Sequence, residues 1–120
     1  MGHMARKKIY LAGPMRDYPQ FNFPAFHFAA SKLRAEGHNV FSPAEKGAEK
    51  EVEENPDLQH SLAFRRKVFH MDTTYICQEA DAVAMLPHWH TSTGATAERA
   101  LAIAIGLEVI YLGADYAPAN

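Results

Sequence analysis

Apolar residues form four short runs along the chain, and each run has the length of a β-strand. The third run, residues 82–86, is apolar without alternation, which is typical of a strand that is covered on both faces. The first run ends at Gly13-Pro14, because proline removes an amide donor and fixes φ. The predicted strands are 8–11, 39–41, 82–86 and 107–113.

Longer stretches with helical spacing separate these runs. Phe26, Ala29, Ala30 and Leu33 follow the i, i+3, i+4, i+7 pattern of a helix that starts near Pro24 and ends at Gly37. A second helix is predicted from Leu58 to about Glu79. A third follows the loop 87–95, with Glu98 in its first turn; its predicted buried stripe is Ala97, Ala100, Leu101, Ala104 and Ile105.

Strands therefore alternate with helices, which predicts an α/β fold with a mainly parallel sheet of about four strands. Ligands of such sheets bind beyond the carboxyl ends of the strands, where the strand order reverses. Two loops that leave carboxyl ends carry unusual residues, 13–22 and 87–95. We expect them to form one site. The glutamate-rich segment 45–57 has weak periodicity, and we expect a solvated, mobile loop or helix there.

The composition limits the class of protein. The 120 residues, 48% hydrophobic and 22% charged, fit one globular domain, predicted at 4–120, after a cloning scar at residues 1–3. The net charge of −2 argues against a nucleic-acid polymer as partner. No apolar run approaches the roughly 18 residues that span a membrane. The single cysteine, Cys77, excludes an internal disulfide and suggests a reducing, cytoplasmic compartment.

Glu98 is the first candidate for chemistry. A helix N-terminus stabilises an ionised carboxylate, and such a group at the ligand edge of a sheet can act as a nucleophile or stabilise a cation. Acidic residues are also common in first turns without any function. The position of Glu98 beside Ala97 and Leu101 places it at the border of the core.

Two short loops are candidates for anion binding. Ser92, Thr93 and Gly94 offer hydroxyls and amides at a helix start, which suits a phosphate, although plain N-capping explains them equally well. Gly13 permits close backbone approach, and Arg16 can make a forked contact with phosphate or be merely solvated.

Asp72 is a second candidate acid, because aspartate is a poor helix former. Arg65 lies seven positions earlier on the same helical face and could contact a base or a phosphate, or be surface charge. Asp81 is interpreted as a cap or turn residue. His88 and His90 lack a third ligand at a familiar spacing, so no metal site is predicted; Trp89 between them is interpreted as a wall for a flat ligand or as a cover of the core.

Three ordered segments carry a resemblance to a known family: IYLAGPMR, FHMDTTYICQEADAVAML and TSTGATAERALAIAIGLEVI. With them the chain resembles the nucleoside 2-deoxyribosyltransferase superfamily, which includes 2′-deoxynucleoside 5′-phosphate N-hydrolases and CMP N-glycosidases. The resemblance implies a Rossmann-like or flavodoxin-like three-layer sandwich with about four to five strands. It covers most of the chain apart from 44–60. Two departures are Asp17-Tyr18-Pro19, where further glycines are usual, and Ala100 in place of a glycine.

The resemblance also implies roles for single residues. Glu98 matches the catalytic glutamate that acts on C1′ of the sugar, Tyr10 matches a tyrosine near it, and Asp72 matches a second essential carboxylate. The matching phosphate-binding residues are Gly13, Arg16, Ser92 and Gly94.

The expected function is hydrolysis of the N-glycosidic bond of a (deoxy)nucleoside 5′-monophosphate, without cofactor or metal. Two alternatives stay open: a 2′-deoxyribosyltransferase that exchanges bases on nucleosides, and a nucleotide-binding protein without turnover. The resemblance further implies a homodimer or higher homo-oligomer in which a neighbour completes the pocket.

Overall fold

The computed structural model describes residues 6–119, so the predicted scar at residues 1–3 lies outside the described residues. Four strands alternate with five helices. The elements are β1 (Lys8–Ala12), α1 (Phe23–Ala35), β2 (Asn39–Phe41), α2 (Pro43–Lys46), α3 (Glu51–Glu54), α4 (Leu62–Gln78), β3 (Ala82–Met85), α5 (Thr93–Ile105) and β4 (Glu108–Tyr111). Short 3-10 turns occur at Pro19–Asn22, Ala48–Lys50, Pro56–His60 and Trp89–Thr91. That residues 4–120 form one domain stays a prediction.

The four strands form one parallel sheet in the order β2-β1-β3-β4. From β1 the chain crosses to β2 on one side, and then returns to place β3 on the other side of β1. The strand order therefore reverses between β1 and β3, and a crevice opens beyond their carboxyl ends. The predicted α/β fold with a mainly parallel sheet is confirmed.

Helices cover both faces of the sheet, which makes three layers. Ile9 and Leu11 point to the face under α1, and together with Phe26 and Leu33 they form one core cluster. Tyr10 points to the opposite face, because side chains alternate along a strand. It packs in a second cluster with residues of α4 and α5, the helices that carry Asp72 and Glu98.

Two helix predictions need correction. Helix α4 begins at Leu62 and not at Leu58, because Ser61 is its N-cap and accepts a hydrogen bond from the amide of Phe64 at 3.2 Å. The buried side of α5 is Ala95, Glu98 and Ala102, whereas the predicted stripe is largely exposed. The predicted stripe was wrong because alanine and isoleucine occur around the whole helix, so its apolar residues do not mark one face. The residues of that stripe are Ala97, Ala100, Leu101, Ala104 and Ile105, of which only Leu101 is half-buried.

The segment 45–57, expected to be a solvated loop or helix, is helical and mostly exposed, but part of it is buried. It forms α2, a 3-10 turn and α3 in succession, and Ala48 and Val52 pack with Phe64 in a small third core cluster. Glu49 is buried in the same turn, with 5% of its surface exposed. The segment therefore places a carboxyl group inside the protein.

No helix within residues 6–119 is long and apolar enough to cross a lipid bilayer.

Candidate active site

A cavity of about 340 Å³ lies at the crevice between β1 and β3. This volume is within the range of roughly 300–1,000 Å³ that is usual for small-molecule sites. Its wall comes from the loop after β1, the 3-10 turn at 48–50, helix α4 and the start of α5. Eight of the nine candidate residues line it: Tyr10, Gly13, Arg16, Arg65, Asp72, Ser92, Gly94 and Glu98.

Tyr10 and Glu98 meet in the buried part of the cavity. The hydroxyl of Tyr10 donates a hydrogen bond to Oε2 of Glu98 at 2.9 Å, although 88 residues separate them in the chain. The ring of Tyr10 is held from behind by Phe41, with ring centroids 5.7 Å apart, and by Tyr75 at 6.3 Å. The donor is therefore fixed in direction by packing before any ligand arrives.

Glu98 lies in the second turn of α5, and its N-terminal position does not stabilise the ionised form as the sequence predicts. Burial raises the pKa of the Glu98 carboxyl well above its usual value of 4.5, and the charge of Asp72 adds to the rise, whereas the hydrogen bond from Tyr10 lowers it. The helix dipole acts mainly on the first turn. Without ligand, the carboxyl of Glu98 therefore tends to keep its proton.

A second pair of carboxyl groups belongs to Asp72 and Glu49. Both side chains are almost fully buried and line the cavity. Burial raises the pKa of Asp72 above 3.8, while hydrogen bonding with Glu49 and Tyr10 opposes the rise. Burial and the neighbouring Asp72 raise the pKa of Glu49 to about 11. The site therefore concentrates three carboxyl groups whose pKa values are raised by burial.

Gly47 makes the position of Glu49 possible. A Cβ atom at residue 47 would collide with Oε1 of Glu49 and would lie 3.0 Å from the carbonyl oxygen of Pro43. The glycine thus leaves the space into which the Glu49 carboxyl folds. Sequence reasoning missed Glu49, yet Ala44, Ala48 and Val52 follow an i, i+4, i+8 spacing that indicates a buried side in this segment.

The mouth of the cavity is positively charged. Arg16 and Arg65 line it and are exposed, and neither makes an ion pair with a carboxylate among residues 6–119. The N-terminus of α5 faces the same cavity through Thr93 and Gly94. Free amides and a helix N-terminus favour an anion, as do the two guanidinium groups.

Ser92, Gly13 and Gly94 at this mouth differ in what the fold requires of them. Ser92 caps α5 by accepting from the amide of Ala95 at 3.1 Å, so the capping interpretation holds, and its hydroxyl proton stays free to donate. A Cβ at Gly13 would lie 2.6 Å from Leu86, so packing alone requires this glycine. A Cβ at Gly94 would meet nothing closer than Ser92 Oγ at 3.9 Å. The fold itself therefore leaves room for a methyl group at Gly94.

Trp89 is the candidate that the structure places elsewhere, because it is absent from the lining of this cavity. Its ring packs against Tyr111 of β4 at 6.0 Å, and the guanidinium of Arg99 lies 4.9 Å from its centroid. Of the two interpretations of Trp89, the structure favours a cover of the core. The 3-10 turn after β3 directs the ring toward β4, where it covers the core.

Asp81, His88 and His90 do not line the cavity. Asp81 accepts a hydrogen bond from the amide of Lys8 at 2.8 Å and ties β3 to β1, as its interpretation as a turn residue predicts. The rings of His88 and His90 lie 6.4 Å apart. Within the part of the chain that the structure describes, no three His, Cys, Asp or Glu side chains converge as metal ligands do.

Comparison with known proteins agrees with this geometry. A family described as "Domain of unknown function (DUF4406)" matches residues 7–111. The solved structure of a 2-deoxyribosyltransferase from Bacillus psychrosaccharolyticus is 30% identical and superimposes with a TM-score of 0.65, over 88% of this chain and 71% of that one. The chain belongs to the nucleoside 2-deoxyribosyltransferase superfamily. No curated protein matches it.

Membership in the deoxyribosyltransferase superfamily confirms two predictions: the Rossmann-like or flavodoxin-like fold, and an enzyme of the N-glycosidase or deoxyribosyltransferase kind. The roles of the single site residues stay predictions. Glu49 and Gln59 line the cavity without having been predicted, and so do four phenylalanines that supply apolar surface, namely Phe21, Phe26, Phe64 and Phe69.

Proposed function

We propose that this protein hydrolyses the N-glycosidic bond of a (deoxy)nucleoside 5′-monophosphate and releases the free base and the sugar 5-phosphate. One observation carries the proposal: a buried carboxyl group with a fixed donor, Glu98 with Tyr10, lies in a cavity whose mouth holds two arginines without an ion-pair partner among residues 6–119. The carboxyl suits a sugar cation, and the arginines suit a phosphate. A bare nucleoside would leave the positive mouth without a partner.

The proposed chemistry parallels glycoside hydrolysis. Glu98 first releases its proton to water; as the bond to the base then breaks, positive charge develops on the sugar ring and is stabilised by the ionised Glu98. The carboxylate then stabilises C1′ or bonds to it. Meanwhile the hydroxyl of Tyr10 donates a hydrogen bond to Oε2 of Glu98 and stabilises the negative charge there. Asp72 helps to protonate the base or to align the sugar. Water finally releases the sugar phosphate.

The phosphate is proposed to bind at Arg16, Arg65 and the N-terminus of α5. These groups are exposed at the mouth, whereas the carboxyl groups are buried, so one molecule can reach both. The phenylalanines that also line the cavity offer flat apolar surface for a base. The single cysteine, Cys77, is exposed and unpaired, which supports action on the nucleotides of the cytoplasm.

A second candidate function is transfer of the 2-deoxyribosyl group between bases. It is favoured by the solved structure to which the chain is similar, since that protein is a 2-deoxyribosyltransferase. The two functions differ only in whether water or a second base resolves the sugar intermediate.

Incubation with a panel of ribo- and deoxynucleoside 5′-monophosphates and the matching nucleosides tests the proposal. Free base is followed by liquid chromatography, with and without added acceptor base, beside a Glu98→Ala variant. A hydrolase releases base from a monophosphate, ignores the nucleoside and needs no acceptor. A transferase needs the acceptor and prefers the nucleoside. A ligand-dependent rise in melting temperature without any product would identify a binding protein and contradict both enzymatic candidates.

Assembly into a homodimer or larger homo-oligomer is proposed as well. Exposed apolar side chains occur on α4, where Phe69 and Met71 are 38% and 39% exposed, and on α5, where Ile103 and Ile105 are 52% and 46% exposed. Phe69 also lines the cavity, so a copy that covers it would close the site. Light scattering that finds a clean monomer with full activity would exclude this assembly.

A further inference from the structure

Glu49 and Asp72 each hold one carboxyl oxygen without a hydrogen-bond partner among residues 6–119. These atoms are Oε1 of Glu49 and Oδ1 of Asp72, and both are fully shielded from solvent. The side chains are 5% and 3% exposed, and both line the cavity that also holds Glu98. A buried carboxyl oxygen without a partner is costly, so it needs either a proton or a ligand.

The two groups cannot both be ionised when no ligand is present. They come from different elements, the 3-10 turn at 48–50 and helix α4, and both are buried in the wall of the same cavity. Two like charges buried in one site force one group to hold a proton. Burial and the adjacent Asp72 raise the pKa of Glu49 far above that of an ordinary glutamate, so the proton resides on Glu49.

The other charged and titratable groups around the cavity do not neutralise this pair. Glu98 is a third carboxyl, and Tyr10 is a neutral donor that already bonds to it. Arg16 and Arg65 are exposed at the mouth, and neither has an ion-pair contact with Glu49 or Asp72. No guanidinium group therefore stabilises the ionised form of this pair, which favours a proton on Glu49.

We propose that Glu49 is the proton donor to the departing base in the hydrolysis proposed above, and that Asp72 holds its proton in place until the base is bound. The bond from C1′ to the base nitrogen breaks, and its electron pair leaves with the base. The Glu49 proton passes to the base, while the carboxylate of Glu98 stabilises or bonds to C1′. A water molecule then adds its hydroxyl to C1′, any bond between C1′ and Glu98 breaks with its electron pair returning to the carboxylate, and the proton of the water returns to Glu49. This role rests on the proposed function.

The test uses substrates that differ only in how much the base needs a proton. Two monophosphates of the preferred base type are compared: the plain nucleotide, and one whose base leaves readily, an N7-methylated purine or a 5-fluorinated pyrimidine. kcat/KM is measured for the unaltered protein, for Glu49→Gln and for Glu51→Gln. Glu51 is the matched control, because it lies two residues away and pairs with Lys67 on the surface at 2.8 Å.

We expect Glu49→Gln to lower kcat/KM for the plain nucleotide on the order of 100-fold or more, as for loss of a general acid. The activated nucleotide should lose far less, because its base leaves without needing a proton. Glu51→Gln should behave as the unaltered protein. Equal losses on both nucleotides, or no loss on either, would overturn the role of Glu49 and leave the proposed hydrolysis standing.

A second variant covers the case in which Glu49→Gln does not fold. Gly47→Ala places a methyl group where the Glu49 carboxyl lies and displaces it without removing it. The same dependence on the leaving base is expected, and its absence in a folded Gly47→Ala protein, checked by circular dichroism, would contradict the inference. If the unaltered protein releases no base from any monophosphate, both the proposed function and the role of Glu49 fall.

Discussion

The hydroxyl of Tyr10 and the carboxyl of Glu98 form a buried hydrogen bond of 2.9 Å between the first strand and the last helix of the chain. The bond lowers the pKa of Glu98, against the burial that raises it. Tyr10 itself is held neutral, since burial and the charge of Glu98 raise the pKa of its hydroxyl well above 10. The pair can therefore favour an ionised carboxylate at the moment when positive charge appears on the sugar.

Tyr10→Phe should retain the fold and lose activity. The ring still packs on Phe41, but Glu98 loses its donor, so the pKa of Glu98 rises and the acid limb of the pH profile moves to higher pH. A hydrogen bond to a charged group contributes about 1.5–3 kcal/mol, so kcat/KM should fall roughly 10- to 100-fold. Tyr75→Phe is the control, since its ring contacts Tyr10 without bonding to Glu98. An unchanged acid limb in Tyr10→Phe would contradict this account.

Arg16→Ala should raise KM for a monophosphate by about 10-fold or more, because a charge-assisted hydrogen bond to phosphate is lost. Turnover of the matching nucleoside, where detectable, should not change. Arg66→Ala serves as the control, because Arg66 is exposed on α4 and does not line the cavity. Steady-state kinetics with the monophosphate and with the nucleoside measure both effects. An Arg16→Ala enzyme with an unchanged KM would place the phosphate elsewhere.

Gly94→Ala should raise the stability of the protein slightly and weaken the binding of a monophosphate. Alanine is favoured over glycine in a helix by up to about 1 kcal/mol, and the protein leaves room for the methyl group, so the melting temperature should rise slightly. The same methyl group would occupy space that a phosphate needs at the start of α5. Thermal unfolding and the dissociation constant for a monophosphate are measured together. Tighter or unchanged binding would show that no ligand approaches this backbone.

The buried carboxyl groups should make the protein less stable as the pH rises. Glu49, Asp72 and Glu98 have raised pKa values in the folded state, so above about pH 4.5 the folded protein holds protons that the unfolded chain has released. The free energy of unfolding then falls with pH, by up to about 1.4 kcal/mol per pH unit for each proton. The fall continues until the folded groups titrate, which for Glu49 is near pH 11.

Urea unfolding at pH 5, 7 and 9 measures this dependence. Glu49→Gln should flatten it, because glutamine has no proton to release, whereas Glu51→Gln at the surface should leave the slope as it is. Parallel slopes for the unaltered protein and Glu49→Gln would mean that Glu49 is ionised in the folded state.

The sequence predicts the strands well, because each is a short apolar run that ends in a turn. The sequence also predicts one site, since loops at the carboxyl ends of β1 and β3 must meet where the strand order reverses. Eight of the nine candidate residues line one cavity there. The stripe of α5 could not be predicted in the same way. Alanines and isoleucines surround that helix, and the burial of Glu98 depends on how the helix packs in the folded protein.

The burial of Glu49 and the direction of the Trp89 ring could not be predicted from local sequence patterns. Four of the five glutamates in 45–54 point outward or lie half-buried, and nothing in the composition marks Glu49 as the buried one. Only the glycine at 47 and the spacing of three apolar residues indicate an inner side. Trp89 follows β3 directly, as the site residues do. A left-handed His88, with φ of 66°, turns the chain so that the indole faces β4.

The most direct test of the central claim is the rate of base release from the preferred monophosphate by Glu98→Gln. Glutamine keeps the size of the side chain and can still accept the hydrogen bond from Tyr10, so the cavity should persist and the nucleotide should still bind. We predict a loss of release on the order of 1,000-fold or more with little change in binding, as for loss of a catalytic carboxylate. Release at the rate of the unaltered protein would contradict the assignment of Glu98 as the group that acts on C1′.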